Sequence, residues 1–187
     1  MSCEVTRGRR IPCKDGAAGL LAVYFLNRTP EFSVSFDGTL VDDITITDGG
    51  GAVTLYKYEL DNVGNNFEET LEASRDNGTI FAAQVLTLAL QTLQDDDLED
   101  IYNLSRGRPA VLIQYRNGKV RLAGIERGLD STGNNASGGD LGDFQGYNLT
   151  LTANENKYAP LLKGYTLANP FAGLTTPPTV VTGDAES

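Results

Sequence analysis

Histidine and tryptophan are absent from the 187 residues, methionine occurs once and cysteine twice. Without histidine the chain lacks the commonest general base, the commonest metal ligand and the usual base of a nucleophilic triad. Catalysis would have to rest on carboxylates, Lys, Tyr or Cys. Cys3 and Cys13 are too few for a zinc site and do not have C-x-x-C spacing, so free thiols are expected. Positive charge is scarce as well: 15 Lys and Arg against 25 Asp and Glu leave a net charge of −10. Such a balance argues against a surface that neutralises phosphates as a groove binder does, and is compatible with one that repels them.

Long hydrophobic runs are missing too. The longest, "AAGLLAVYFL" at residues 17–26, is too short to span a bilayer. Arg7, Arg9, Arg10 and Lys14 ahead of it mimic the charged region of a signal peptide. However, Asp15 and Gly16 interrupt the junction, Tyr24 breaks the run, and "NRTP" offers no small-residue cleavage site. The run reads as a buried strand without a membrane anchor, in a cytoplasm or in a particle assembled there.

What is present is alternation. "EFSVSF", "DDITIT", "AVTLYKYEL" and "FEETLEAS" are short alternating segments separated by Gly, Asp and Asn turns, the pattern of an antiparallel β-sandwich or barrel. In "FEETLEAS" Phe67, Leu71 and Ala73 share one face with Glu69, while Glu68, Thr70, Glu72 and Ser74 form a wet, acidic one. "TIFAAQVLTLAL" (residues 79–90) is largely apolar on both faces and predicts a strand that is dry on both sides.

One helix is expected near residues 95–106: Asp95, Asp96 and Asp97 supply its cap, Leu98, Ile101, Tyr102 and Ser105 follow helical spacing, and Gly107 with Pro109 ends it. One helix covers one patch of one sheet, so the remaining dry surface is expected to meet another subunit.

"AVLIQYRNGKVRLAGIE" is a hairpin turning at Asn117-Gly118. A two-residue loop opposes Tyr115 to Val120 and Ile113 to Leu122, leaving Arg116 with Lys119 and Gln114 with Arg121 on the other face. That makes a basic island suited to an acidic partner surface. Residues 127–146 read as one long loop of functional length, followed by the strand "YNLTLTANE". The domain organisation is therefore an N-terminal arm (1–16), a mainly β domain (17–162) and an extended C-terminal arm (163–187).

Recognisable chemistry is sparse. "DDDLED" lacks the D-x-D-x-D-G calcium pattern and is explained by a helix start. "STGNNASGGDLGD" has no following G-K-[ST] and feeds no helix. Asp42, Asp43 and Asp48, or Asp140 and Asp143, are the candidates for a loop calcium. Nothing singles out a carboxylate pair spaced for glycoside hydrolysis, and no aromatic and basic residues combine in the manner of RRM or OB modules.

The succession "SRDNGTIFAAQVLTLALQ", an acid-capped helix, "GRPAVLIQYRNGKVRLAGIERGLDSTG" and "LGDFQGYNLTLTANENKYAPLL" resembles, over residues 53–162, the structural proteins of tailed bacteriophages, most of all tail tube proteins. The resemblance implies a mainly β fold, an antiparallel β-sandwich or barrel with one flanking α-helix and extended terminal arms. It also implies rings, usually of six subunits, stacked into a hollow tube in the virion tail. In that setting strands from all subunits close an inner barrel around passing DNA, with no enzymatic activity and no cofactor. Partners would be copies of the chain itself and other tail or connector proteins. Glu68 and Glu72 are then candidates for the channel lining, and Arg116, Lys119 and Arg121 for contacts between subunits. The long C-terminal tail and basic N-terminus depart from that pattern and keep head-tail connector, ring and capsid decoration proteins as alternatives. A calcium- or carbohydrate-binding β-sandwich module, with its site in the loop at 130–146, is the alternative from another class.

Overall fold

The computed structural model describes residues 8–10, 17–46, 51–60, 64–91 and 97–183. Cys3, Cys13, Asp48, Asp95, Asp96 and most of the expected N-terminal arm lie outside the described residues. In chain order the elements are β1 (Leu20–Leu26), β2 (Phe32–Asp37), β3 (Leu40–Ile46), β4 (Thr54–Glu59), β5 (Asn66–Ser74), β6 (Thr79–Gln91), α1 (Asp97–Arg106), β7 (Ala110–Tyr115), β8 (Val120–Ala123), β9 (Asp130–Ala136), β10 (Gly146–Glu155) and β11 (Thr179–Thr182). The fold is mainly β with one flanking helix, as the alternating segments require. Among the described residues the strands form open sheets and not a closed barrel.

Two sheets face each other. One has the order β11-β4-β1-β7-β8 and the other β5-β6-β10-β9, with β2-β3 as a separate hairpin. Between them lie Val23 and Phe25 of β1, Val111 and Ile113 of β7, Leu86 and Leu88 of β6, and Leu149 and Leu151 of β10, all buried. Each such side chain contributes about 1.5–3 kcal/mol on leaving water. Helix α1 closes one flank, adding Leu104 and Ile101 to this core, and ends where the Gly107 N–H bonds the Asn103 carbonyl at 2.9 Å.

The doubly buried strands are β1 and β7, not β6 as the apolar run at 79–90 suggested. Their second face, with Tyr24, Leu26 and Leu112, packs under Val41 and Ile44 of the β2-β3 hairpin and under Leu162, Phe171 and Leu174 of the C-terminal segment. Tyr24 meets Phe171 edge-on with centroids 4.9 Å apart and donates its hydroxyl to Gln114 Oε1 at 2.9 Å. The expected C-terminal arm therefore folds back over its own sheet. Lys163 binds Asp37 and Asp42, each at 2.8 Å, Asp43 accepts from the Thr176 N–H and hydroxyl, and β11 joins β4 in parallel.

Two further expectations are corrected. The β7-β8 turn takes three residues: the Gly118 N–H bonds the Tyr115 carbonyl at 2.9 Å, the Tyr115 N–H bonds the Lys119 carbonyl at 2.8 Å, and Gly118 has φ 81°, the left-handed position that a bulged hairpin loop gives to glycine. That extra residue shifts the register by one and opposes Ile113 to Arg121 and Gln114 to Val120. Arg121 thereby turns from the outer face to the inner one, since a slip of one residue exchanges faces.

The long loop at 127–146 contains β9, paired along its length with β10. Its Ser, Thr, Asn and Gly residues carry little strand propensity, and β10 imposes the extended form. Gly133 is required there, because a Cβ would lie 2.5 Å from the Asn148 carbonyl oxygen and 2.6 Å from Leu149 Cδ2.

Candidate functional site

The outward face of β5-β6-β10-β9 is the most unusual surface of the molecule. Along β6 the residues facing the core (Ala82, Gln84, Leu86, Leu88) are buried, whereas Phe81, Ala83, Val85, Thr87 and Ala89 on the other side are only half-buried. No helix, loop or hairpin of the described residues roofs this side. The register lays the face out in rows: Glu68, Val85, Thr152 and Asp130 in one, Asn66, Thr87, Thr150 and Thr132 in the next, then Ala89, Asn148 and Asn134. Its side chains are small or uncharged except along β5, and no Lys or Arg occurs in any of the four strands.

Glu68 and Glu72 both stand exposed on this face, about 13 Å apart at strand spacing. Glu68 accepts from Asn66 Nδ2 at 2.9 Å, which orients the carboxylate without neutralising it. The third acid, Asp130, is paired with Arg108 at 2.9 Å. The face thus carries uncompensated negative charge and repels polyanions; it has no nucleophile and base in contact. Both margins, β5 and β9, are free edges. Neither holds the Lys or Pro that commonly blunts an exposed edge.

The other singled-out residues part company. Arg116 and Lys119 stay at the β7-β8 turn, where neither forms an ion pair among the described residues, and Arg116 Nε is buried without an acceptor there. Arg121 instead reaches across the sandwich to Glu69, Nη1 to Oε2 at 2.7 Å, and donates to the Ala159 carbonyl at 3.1 Å. Glu69 also accepts from Gln84 Nε2 at 3.2 Å and from the Ala159 N–H; Gln84 in turn accepts from the Gly124 N–H at 3.1 Å. Two ions that would be costly alone are paired and saturated. This network was missed from the sequence, although its signal was there: a carboxylate at an apolar position of an alternating strand.

Phe67, Tyr115 and Tyr158 surround that pair in a shallow open cleft. Burial pushes the Tyr115 hydroxyl above its usual range, opposed by the Arg121 charge and reinforced by Glu69. A second buried carboxylate, Glu155, accepts from the Glu126 and Arg127 N–H groups and ties the β8-β9 connection to β10. The calcium candidates are likewise engaged in the chain itself. Asp42 and Asp43 hold the C-terminal segment, and Asp143 accepts the Gly139 and Asp140 N–H groups at 2.9 Å each, bonds that hold its carboxyl below the usual range. Among the described residues no three metal-ligating side chains cluster.

Comparison with protein-family models, with curated proteins and with solved structures finds no match. The class is therefore set by architecture: a β-sandwich whose central sheet is covered on both faces by its own chain and whose outer sheet is covered on one.

Proposed function

We propose that this chain is a non-enzymatic virion structural protein of a tailed phage that assembles into stacked rings forming the tail tube. The outward face of β5-β6-β10-β9 lines the channel for the genome. The observation that carries the reading is this uncovered face: flat, built of Thr, Asn, Ala and Val, free of cations and edged by Glu68 and Glu72. Passing DNA must slide and not bind, and a lining that offers phosphate no counter-charge lets it do so. The open edges supply the means of closure. β5 of one copy pairs with β9 of the next, so that four strands per subunit continue into one barrel with no edge left. A ring of six is the expected order.

Negative-stain microscopy of the purified protein tests this: rings or tubes with a central hole are expected, and a monodisperse monomer at high concentration contradicts it. Exchanging Glu68 and Glu72 for Lys leaves assembly intact and slows genome delivery in a phage carrying the change; undiminished infectivity removes the lining role.

A further inference from the structure

The charge of this acidic chain is sorted between the two ends of the sandwich. At one end lie the β7-β8 turn with Arg116 and Lys119, the β5-β6 turn with Arg75, and Lys157 just beyond β10. The Gly118 position packs against Leu167 there, and the Arg121–Glu69 pair marks the level above which these turns project. Four cations face only Glu72 and Asp76 at this end. At the other end lie the 137–145 loop and the start of α1, which begins six residues after Gln91, the β6 residue paired with Gly146. Glu99, Asp100, Asp140 and Asp143 stand there, and residues 88–105 and 136–146 contain no Lys or Arg. The nearest cations, Arg106 and Arg108, belong to the far end of the helix, and Arg108 is taken up by Asp130.

Each end also exposes large apolar side chains: Leu71, Ile80, Tyr158 and Leu167 with the cations, and Leu98, Tyr102 and Leu141 with the acids. The 13 residues of β6 hold the two ends about 40 Å apart, several Debye lengths at physiological salt. They therefore act as independent and complementary patches.

We infer that the occupant of each end is the opposite end of a second copy: molecules associate head to tail, Arg116, Lys119 and Lys157 of one against Glu99 and Asp100 of the next. This deepens the tube reading, on which it rests, by naming the residues of the axial contact. A heterologous contact of this kind repeats without limit unless it closes, and charge matching fixes its direction by making head-to-head and tail-to-tail encounters repulsive.

The test uses two chains. In one, Lys119→Glu with Lys157→Glu makes both ends acidic; in the other, Glu99→Lys with Asp100→Lys makes both basic. All four positions are exposed, and circular dichroism checks that each variant folds. By sedimentation velocity, each alone is expected to need at least tenfold more protein than the parent chain to form long particles. An equimolar mixture is expected to recover them, with growth suppressed by high salt. Variants that elongate like the parent, or a mixture no better than its components, overturn the inference. If rings form but the variants leave their stacking unchanged, only the axial contact is lost; if the parent chain stays a monomer, the tube reading goes with it.

Discussion

The two sheets of this sandwich solve the same problem in opposite ways. In the central sheet β1 and β7 are apolar on both faces, and the chain covers both itself, with the outer sheet on one side and the β2-β3 hairpin and residues 160–174 on the other. In the outer sheet β6 looks nearly as apolar in sequence, yet its second face is left half-exposed. The difference lies in size. Tyr24, Leu26 and Leu112 demand a roof, whereas Ala83, Thr87 and Ala89, set among Thr and Asn of β10, tolerate water and leave a smooth surface. The chain shields what would be costly to expose and leaves open what another molecule, or passing solvent, can meet.

The largest effects should separate these two faces. Leu112→Ala, in a site with no solvent exposure, is expected to cost about 3 kcal/mol. Thr150→Ala on the open face is expected to stay within about 0.5 kcal/mol. Urea unfolding of both decides it, and equal losses would mean that the open face is packed in solution. Next comes the tie between the sheets: Glu69→Ala strands Arg121 and Gln84 and is expected to cost about 2–3 kcal/mol, less than a fully buried pair because Arg121 is partly exposed. Glu69→Ala with Arg121→Met should recover most of that loss, and no recovery would show that the pair is not the coupling element.

The smallest effect concerns the C-terminal clasp. Lys163 holds Asp37 below the ordinary carboxylate value of 3.8, and its hydrogen bonds to Asp37 and Asp42 raise its own ammonium above the ordinary 10.5. A lowered carboxylate stabilises the fold above its unfolded value and loses that contribution as pH falls through the depressed one. A raised ammonium stabilises below its unfolded value and loses it as pH climbs through the raised one. Proteolysis of residues 163–183 by an acid-active protease should therefore increase as pH drops below 3.8, while cleavage by a neutral protease stays flat from roughly pH 5 to 9. A clasp that loosens inside that window contradicts the assignment.

Much of this architecture was legible from residue patterns, because alternation reports which face is wet. The faces of β5 and β10, the helix at Asp97–Arg106 and the exposure of Glu68 and Glu72 followed directly. What did not follow depends on distant partners. β9 has almost no propensity of its own and exists because β10 offers a ladder. The fate of Arg121 turned on one extra residue in a turn, which Asn117-Gly118 alone does not specify. The roof over β1 comes from residues more than 130 positions away, in a tail without periodicity, where Phe171 and Leu174 looked like isolated apolar residues.

The central claim is that copies of this chain complete the outer sheet through its free edges, and hydrogen exchange read peptide by peptide tests it most directly. Comparing dilute protein with assembled particles, the account predicts new protection in both Asn66–Ser74 and Asp130–Ala136, with β6 and β10 already protected and unchanged. Particles whose β5 and β9 amides exchange as fast as in the dilute protein would contradict it.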